Sequence, residues 1–289
     1  MSGWRFVLSA RWFGYFLLVA VFGFACYLLG NWQFARLQEA RDTINTIREN
    51  YGQSPVPLAS LVTDLKHFDS SLEWRPVELT GSYLSTDQLL VRTRPLNDDV
   101  GFEVLVPLRL KNGQVFIIDR GWIPSGQTSD LPDFVPAPPI GEVTVVARLK
   151  PSEPQIPGRS APKGQLASIE LPKVAELISA PTFTAAYGQL VSETPPVSPM
   201  PQALPEPEQS EGAHLSYAIQ WIAFAVLAII GLVWAIRQEH RIRNSEDPRI
   251  IAMEKRRQAR KASRGPTDSE IEDSLIEQAQ DHASSINSA

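Results

Sequence analysis

The sequence predicts an α+β membrane protein in which two transmembrane helices flank an exported, antiparallel β-rich domain that closes like a barrel. Two long apolar runs, residues 12–30 and 217–236, contain no charged residue. Between them, short segments alternate apolar and polar side chains and are separated by Pro- and Gly-rich loops, a pattern typical of strands. Basic residues are concentrated beside the apolar runs, where they set the orientation of a membrane helix.

The first elements are a short cytoplasmic lead, residues 1–11, and the first transmembrane helix, residues 12–30. Trp4 and Trp12 suit the interface between lipid and water. The apolar run is longer than a usual signal-peptide core and ends without a small-x-small cleavage site, so we predict that it is retained.

Helical periodicity continues beyond the first apolar run as an extension over residues 31–51. Apolar residues recur there at spacings of three, four or seven, with charged and polar residues between them. They are Phe34, Leu37, Ile44 and Ile47. We therefore expect one helix from the membrane to about Asn50, before Gly52 and Pro55 end it.

The exported β-rich domain is predicted over residues 52–193. Asn112-Gly113 lies between two apolar stretches and is a strong signal for a hairpin turn. The predicted strands are residues 76–84, 88–92, 102–110, 114–119, 142–149 and 189–192, and a short helix is predicted over 171–179. Residues 124–139 and 151–164 are too rich in Pro and Gly for regular structure. About six strands could close into a small barrel, which removes exposed edges.

A Pro-rich acidic linker, residues 194–213, leads to the second transmembrane helix, residues 214–236. We expect the linker to be extended and semi-rigid. The 20 residues from 217 to 236 form a helix about 30 Å long at about 1.5 Å per residue, which matches a bilayer core of about 30 Å. Residues 237–289 are predicted to be a cytoplasmic tail, with one helix over 247–261 and a weakly helical acidic segment over 268–280.

The charge distribution predicts the orientation in the membrane. Residues 31–216 carry 15 Lys and Arg against 22 Asp and Glu, a net charge of −7, whereas residues 237–264 carry 10 against 4, a net charge of +6. Since basic residues near span ends stay in the cytoplasm, both termini should be cytoplasmic and the acidic middle extracytoplasmic. The basic tail lies next to the lipid bilayer, so anionic lipid explains it better than nucleic acid, and we expect no nucleic-acid partner.

Residue types that carry catalysis are scarce and scattered along the chain. It has four histidines and one cysteine, Cys26, which lies inside the first apolar run. This set gives no recognisable zinc or copper pattern, and the sequence contains no phosphate-binding loop, nucleophile elbow or dinucleotide fingerprint. We therefore predict no catalytic residue, no metal site and no intrinsic cofactor, and a protein that acts by binding rather than as an enzyme.

The strongest candidate site is the entrance to the second apolar run, where His214 stands. A neutral imidazole there could ligate a heme iron or donate a hydrogen bond to a heme propionate. The alternative is a polar interfacial residue satisfied by water or lipid headgroups.

Gln220 is the strongly polar residue inside the second apolar run, and it shares a helix face with Tyr217, Trp221 and Phe224. An amide within a span requires a polar partner. That partner is either the polar end of the first span, at Asn31 and Gln33, or the helix of another protein.

A second candidate region is the stretch from Asp119 to Pro124. Gly121 permits a turn geometry that other residues resist, and Trp122 is expected to be buried against the barrel. Arg120 is expected to pair with Asp119 or with a carboxylate in a loop. The stretch is either a structural corner that closes the hairpin or a contact for a partner.

Taken together, four stretches resemble the Surfeit locus protein family, the cytochrome c oxidase assembly factors. They are Gly30-Asn31-Trp32-Gln33-Phe34-Ala35-Arg36, Gly81-Ser82-Tyr83, Arg120-Gly121-Trp122-Ile123-Pro124, and His214-Leu215-Ser216-Tyr217-Ala218-Ile219-Gln220-Trp221. Their order and their positions relative to the apolar runs make the resemblance specific. It covers about residues 4–234 and implies a bacterial member, located in the cell (plasma) membrane as a multi-pass protein.

The resemblance implies an assembly factor or accessory subunit of a heme a-containing cytochrome c oxidase. It would bind the catalytic subunit and assist heme a insertion, with His214 as the suspected ligand of transiently bound heme a. The alternatives are a permanent structural subunit that stabilises a respiratory supercomplex without heme contact, and a heme-transfer protein. The expected partner-binding residues are Asn31, Trp32, Gln33, Arg36, Arg120, Trp122, Tyr217, Gln220 and Trp221.

Overall fold

The computed structural model describes residues 4–128, 131–244, 251–252, 255–256 and 258–260. The chain divides into two compact units, one formed by Met1–Phe34 and His214–Ala289 and the other by Ala35–Ala213. The long helix α1, Ala10–Asn50, begins in the first unit and ends in the second. The prediction of one helix that continues to about Asn50 is confirmed.

The first unit is an antiparallel helical hairpin made by the N-terminal part of α1 and by α3, His214–Arg243. Both helices are long and apolar enough to cross a membrane, which suggests a membrane protein. Small residues make the close contact between them: Ala218 is fully buried, and a Cβ added at Gly30 would lie 3.9 Å from the Cβ of Trp221. Large apolar side chains on both helices are exposed, as expected where lipid is the solvent.

The second unit is a barrel. Its strands are β1 (Val56–Pro57), β2 (Pro76–Tyr83), β3 (Leu89–Leu96), β4 (Asp99–Leu110), β5 (Val115–Pro124), β6 (Glu142–Pro151), β7 (Gln165–Leu166) and β8 (Ala186–Thr194). They are hydrogen-bonded in the order β1-β2-β6-β8-β5-β4-β3-β7, and a further pairing of β2 with β4 closes the ring β2-β6-β8-β5-β4. The predicted barrel-like β-rich domain is thereby confirmed.

The strand directions are more varied than the predicted antiparallel sheet. The long ladders β2–β6, β3–β4, β4–β5 and β6–β8 are antiparallel, whereas β1–β2, β3–β7 and β5–β8 are parallel. β8 runs parallel to β5 because β6 lies between them along the chain and runs opposite to both. The segment from β6 to β8 contains α2, Leu171–Leu177.

Apolar side chains of the barrel alternate between two cores. Phe116 and Ile118 of β5 lie in the inner core, and Val115 and Ile117 lie in an outer core beneath α2. Leu171 of α2 is fully buried in this outer layer. β5 is therefore covered on both faces, and its continuous apolar run reflects this double burial.

Residues 119–124, predicted as a corner, belong to strand β5, so that prediction is wrong. The strand continues because Trp122, Ile123 and Pro124 pair with the start of β4, from Glu103 back to Gly101. The β4–β5 pairing shifts register between Glu103 and Leu105, where two residues of β5, Arg120 and Gly121, stand opposite one residue of β4, and Gly121 has a φ of +122°.

The Pro-rich return segment, which we define as residues 195–213, is irregular, as predicted, but it is fastened to the domain. Gln202 forms an isolated antiparallel bridge with Trp122, and Pro201 is buried. Further along, Glu211 pairs with Arg41 of α1 at 3.1 Å. In the tail, residues 251–252, 255–256 and 258–260 are helical, whereas the acidic segment over 268–280 lies outside the described residues.

Candidate functional site

The polar contact at one end of the hairpin joins His214 of α3 to Gln33 of α1. His214 Nδ1 lies 3.0 Å from Gln33 Oε1. Because this amide oxygen can only accept, Nδ1 is the donor, and in the neutral tautomer that fits this bond the lone pair is on Nε2. Within the described residues, Nε2 has no hydrogen bond. The half-buried imidazole therefore presents one nitrogen to a neighbouring molecule.

The other predicted partner-binding residues of α1 are Asn31, Trp32 and Arg36. Asn31 donates through Nδ2 to the carbonyl of Tyr27 on its own helix, at 3.0 Å. The Trp32 side chain is 53% exposed. Arg36, which belongs to the second unit, lies 2.7 Å from Glu39 Oε2.

On α3 the predicted face is largely open. Tyr217 is 51% exposed, and Gln220 is exposed. Trp221 is half-buried and meets Phe224 edge to face, with ring centroids 5.8 Å apart. The hydrogen bonds among the described residues include none from the Gln220 side chain. The interhelical hydrogen bond is thus made by His214. For Gln220, a hydrogen-bonding partner on the helix of another protein stays a prediction.

The opposite end of the hairpin carries a second polar contact that the sequence did not reveal. Glu239 Oε1 lies 2.7 Å from Arg11 Nη2 and 2.8 Å from Arg243 Nε. Trp4 stacks on His240 with ring centroids 4.1 Å apart. The available signal was Glu239 itself, an acid close to the second apolar run and surrounded by basic residues.

Inside the barrel, Arg120 is fully buried and pairs with Glu193 of β8. Its Nη2 and Nε lie 2.6 and 3.2 Å from the two carboxylate oxygens, and Nη1 donates to the carbonyl of Pro136 at 3.0 Å. Tyr83 donates to Glu193 Oε2 at 3.0 Å. Burial and the Glu193 charge raise the pKa of Tyr83, so the phenol keeps its proton. The guanidinium of Arg120 and the hydroxyl of Tyr83 therefore both donate to acceptors within this network.

The predicted partners of Arg120, Asp119 or a loop carboxylate, are thus wrong. Adjacent strand residues point to opposite faces. Asp119 accordingly faces the outer layer, and Arg120 faces the interior with Phe116 and Ile118. Glu193 reaches Arg120 because β8 lies beside β5.

Trp122 is 5% exposed, and its Nε1 donates to the carbonyl of Arg94 at 2.8 Å. Its backbone exchanges two hydrogen bonds with Gln202, at 2.8 and 2.7 Å. A Cβ at Gly121 would lie 2.4 Å from the Gln202 carbonyl oxygen, so this approach requires glycine. Arg120 and Trp122 hold a loop and the return segment in place, and their contribution to partner binding stays a prediction.

A heme at the Gln33–His214 contact would meet one suitable nitrogen, Nε2 of His214, with exposed aromatic side chains nearby on the same hairpin. These residues would supply one nitrogen ligand to such a group. Within the described residues, no three His, Cys, Asp or Glu side chains are placed to hold a metal ion.

Comparisons with known proteins agree on one family. The SURF1 family model matches residues 20–226. An uncharacterized SURF1-like protein of Mycobacterium tuberculosis is 33% identical over 246 residues, which cover 83% of this chain and 89% of the relative. The cytochrome oxidase assembly protein SHY1 of Saccharomyces cerevisiae is 31% identical over 98 residues, covering 34% of this chain and 25% of the relative. The matched region includes the first apolar run from residue 20 onward, the barrel, and α3 from His214 to Val226.

Proposed function

This chain belongs to the SURF1 family, and we propose that it is an assembly factor or accessory subunit of a heme a-containing cytochrome c oxidase. The observation that carries the proposal is the family match over residues 20–226, which includes the Gln33–His214 contact and the barrel. A yeast relative is named as a cytochrome oxidase assembly protein. The described residues offer binding surfaces, and the proposed action is binding rather than catalysis.

The proposed partner is the catalytic subunit of the oxidase, bound in the membrane. Tyr217, Gln220 and Phe224 lie three or four residues apart, so they share one exposed face of α3. A polar side chain within a span is costly without a partner. A helix that supplies a hydrogen-bonding group at the depth of Gln220 satisfies the amide and covers the aromatic side chains on either side.

In this proposal, the protein binds heme a transiently while the cofactor is inserted into the partner. Gln33 fixes the ring of His214 through Nδ1, and this leaves Nε2 as the nitrogen for a ligand. The role of Gln33 is therefore to orient the imidazole.

A permanent structural role in a respiratory supercomplex is the second candidate. The ordered attachment of the return segment favours it, because Gln202 and Glu211 fasten that segment to the domain and leave a preformed surface for a lasting contact. In this alternative the protein remains with the finished oxidase and does not touch heme.

Affinity purification of the tagged, full-length protein in a mild detergent tests the proposal. We expect oxidase subunits to co-purify. Substoichiometric oxidase indicates transient assembly, and stoichiometric oxidase without additional heme indicates the structural role. Recovery of the folded protein with neither oxidase subunits nor heme a contradicts both.

His214→Ala separates heme handling from simple association. If His214 contacts heme, the variant loses any heme a absorption of the purified protein but retains the oxidase subunits. His67→Ala is the matched control, since His67 is exposed in the barrel unit. A heme signal that is equal in both variants rules out His214 as the ligand.

We further propose that the protein lies in the bacterial cell membrane with both termini cytoplasmic. The basic residues that follow α3 support this orientation. Protease added to sealed, right-side-out vesicles should leave a C-terminal tag intact and should reach the segment 195–213. Cleavage of the tag under these conditions contradicts the orientation.

A further inference from the structure

A second charge network, half-buried, lies on the outer side of the barrel and has no role in the proposed oxidase contact. Arg94 of β3 is its centre. The Arg94 Nε lies 2.9 Å from Glu103 Oε2, and the Arg94 Nη2 lies 2.6 Å from Glu153 Oε2. Asp119, only 1% exposed, influences the same group of charges. Two carboxyl groups thus contact one guanidinium, and its charge also acts on a third, that of Asp119.

The network fastens the loop between β6 and α2, residues 152–170, to the barrel. Glu153 Oε2 accepts from the backbone N–H of Ile169 at 2.8 Å, and the backbone N–H of Glu153 donates to the Ile169 carbonyl at 3.0 Å. Ser168 donates to the Pro154 carbonyl at 3.0 Å. Glu153 closes this loop, and Arg94 holds Glu153 against the strands.

A strained bulge in β3 places Arg94 at the network. The pairing of β3 with β4 shifts register between Arg92 and Arg94, and Thr93 between them has a φ of +61°. A β-branched residue rarely adopts this conformation. The strain persists because Arg94 gains two carboxylate contacts and its carbonyl accepts from Trp122 Nε1.

Each packed element contributes a titratable or charged group. They are Arg94 (β3), Glu103 (β4), Asp119 (β5), Lys150 (β6), Glu153 (after β6) and Tyr187 (β8). Lys150 is already paired with Glu73 and lies over the Trp74 ring. With every acid ionised, three negative charges therefore face the single positive charge of Arg94.

Burial raises the pKa of Glu103 to about 7, although the Arg94 charge acts in the opposite direction. Burial, and next the Glu103 charge, raise the pKa of Asp119 well above its usual range. Both raised pKa values agree with the excess of carboxyl groups over basic groups at this half-buried site.

We propose that Arg94, Glu103, Asp119 and Glu153 form a protonation-dependent clamp, which holds residues 152–170 on the barrel while Glu103 carries a proton and loosens when Glu103 ionises. In the protonated form, Arg94 and Glu153 are a balanced pair. Ionisation of Glu103 adds an uncompensated charge to a poorly solvated site, and the open loop relieves the repulsion by admitting water.

The sign of the pH dependence follows from proton binding. Between its ordinary pKa and about 7, Glu103 holds more proton in the closed state than in the open state. The stabilisation of the closed state by protonated Glu103 is therefore fully present at acidic pH and is lost as the pH rises towards 7. Asp119 acts in the same direction.

Hydrogen–deuterium exchange of the full-length protein in detergent tests the clamp. Rates for peptides from residues 152–170, corrected for intrinsic exchange, should rise with pH by up to about tenfold per unit for one released proton. Glu103→Gln mimics the protonated form, so its corrected rates should lose the part of the pH dependence that Glu103 contributes and should rise less steeply with pH than those of the unmodified protein. Glu78→Gln, at an exposed position on β2, should behave as the unmodified protein does.

Infrared difference spectroscopy gives an independent readout that does not depend on loop motion. A protonated carboxyl band of the unmodified protein should titrate near pH 7 and should be absent in Glu103→Gln. Flat corrected exchange rates in the unmodified protein, a pH dependence that is undiminished in Glu103→Gln, or no carboxyl that titrates near neutrality would each overturn the clamp.

Discussion

The helical hairpin and the barrel are built from the same apolar residue types but place them in opposite ways. In the barrel, Phe116 and Leu149 are fully buried. In the hairpin, Phe13, Leu227 and Trp234 are 68%, 60% and 66% exposed. The barrel is stabilised by its own interior, whereas the apolar surface of the hairpin must be covered by lipid or by a partner.

Polar contacts differ between the two regions in the same way. The Arg120–Glu193 pair in the barrel is removed from solvent, so each charge depends on the other. The Gln33–His214 contact in the hairpin is only partly buried, and either residue can find a substitute partner in headgroups or water. Substitutions in the barrel should therefore have larger effects on stability than equivalent substitutions in the hairpin.

The largest effect is expected for Glu193→Leu. It leaves the buried Arg120 guanidinium without its counter-charge and should destabilise the barrel by about 3–5 kcal/mol. Urea unfolding of the full-length protein, followed by tryptophan fluorescence, measures the loss. The double variant Arg120→Leu/Glu193→Leu should recover much of it, because two apolar residues leave no unpaired charge. A loss below about 1 kcal/mol for the single variant contradicts the buried pair.

A smaller effect is expected for Ala218→Leu, which enlarges the fully buried contact of the hairpin. Overpacking of this kind costs about 1–3 kcal/mol. Thermal loss of the helical circular dichroism signal in detergent should shift to lower temperature. Ala223→Leu is the matched control, since Ala223 is exposed on the same helix. Equal melting of the two variants would show that the helices do not pack through Ala218.

A modest effect is expected for the Gln33–His214 hydrogen bond. Gln33→Leu should cost about 0.6 kcal/mol and at most about 1.7 kcal/mol, the range for hydrogen bonds between membrane helices. A double-mutant cycle with His214→Ala isolates the interaction free energy between the two side chains. Additive effects of the two substitutions would show that the side chains do not interact.

The smallest effect is expected for Arg41→Ala, which removes an ion pair with Glu211 whose side chains are 45% and 47% exposed. Exposed pairs contribute about 0.2–1 kcal/mol, and salt screens them. Urea unfolding at low and high ionic strength should give a small difference that disappears at high salt. A large loss that is independent of salt would show that this contact is essential for fastening the return segment.

Much of the fold could be predicted because its signals are local. Charge-free runs mark the apolar helices, alternation marks the strands of the barrel, and Asn112-Gly113 marks the hairpin turn between β4 and β5. The end of α1 at Asn50 follows from Gly52 and Pro55. The family was also predicted from the sequence, and the match over residues 20–226 confirms it.

The errors concern residues whose partners are distant along the chain. Arg120 was expected to pair locally, yet Glu193 lies 73 residues away and reaches it through the β5–β8 neighbourhood. The continuation of β5 beyond Asp119 depends on a register shift in its pairing with β4. Neither feature has a local sequence signal.

The sequence by itself determined the apolar helices, the strand-rich middle, the charge asymmetry and the family, because each depends on residue type and short-range spacing. Tertiary structure decided which polar side chains meet: His214 with Gln33, Arg120 with Glu193, and Arg94 with Glu103 and Glu153. The physical reason is that barrel closure and helix pairing bring distant residues to hydrogen-bond distance, and only there does burial make each charge depend on its neighbour.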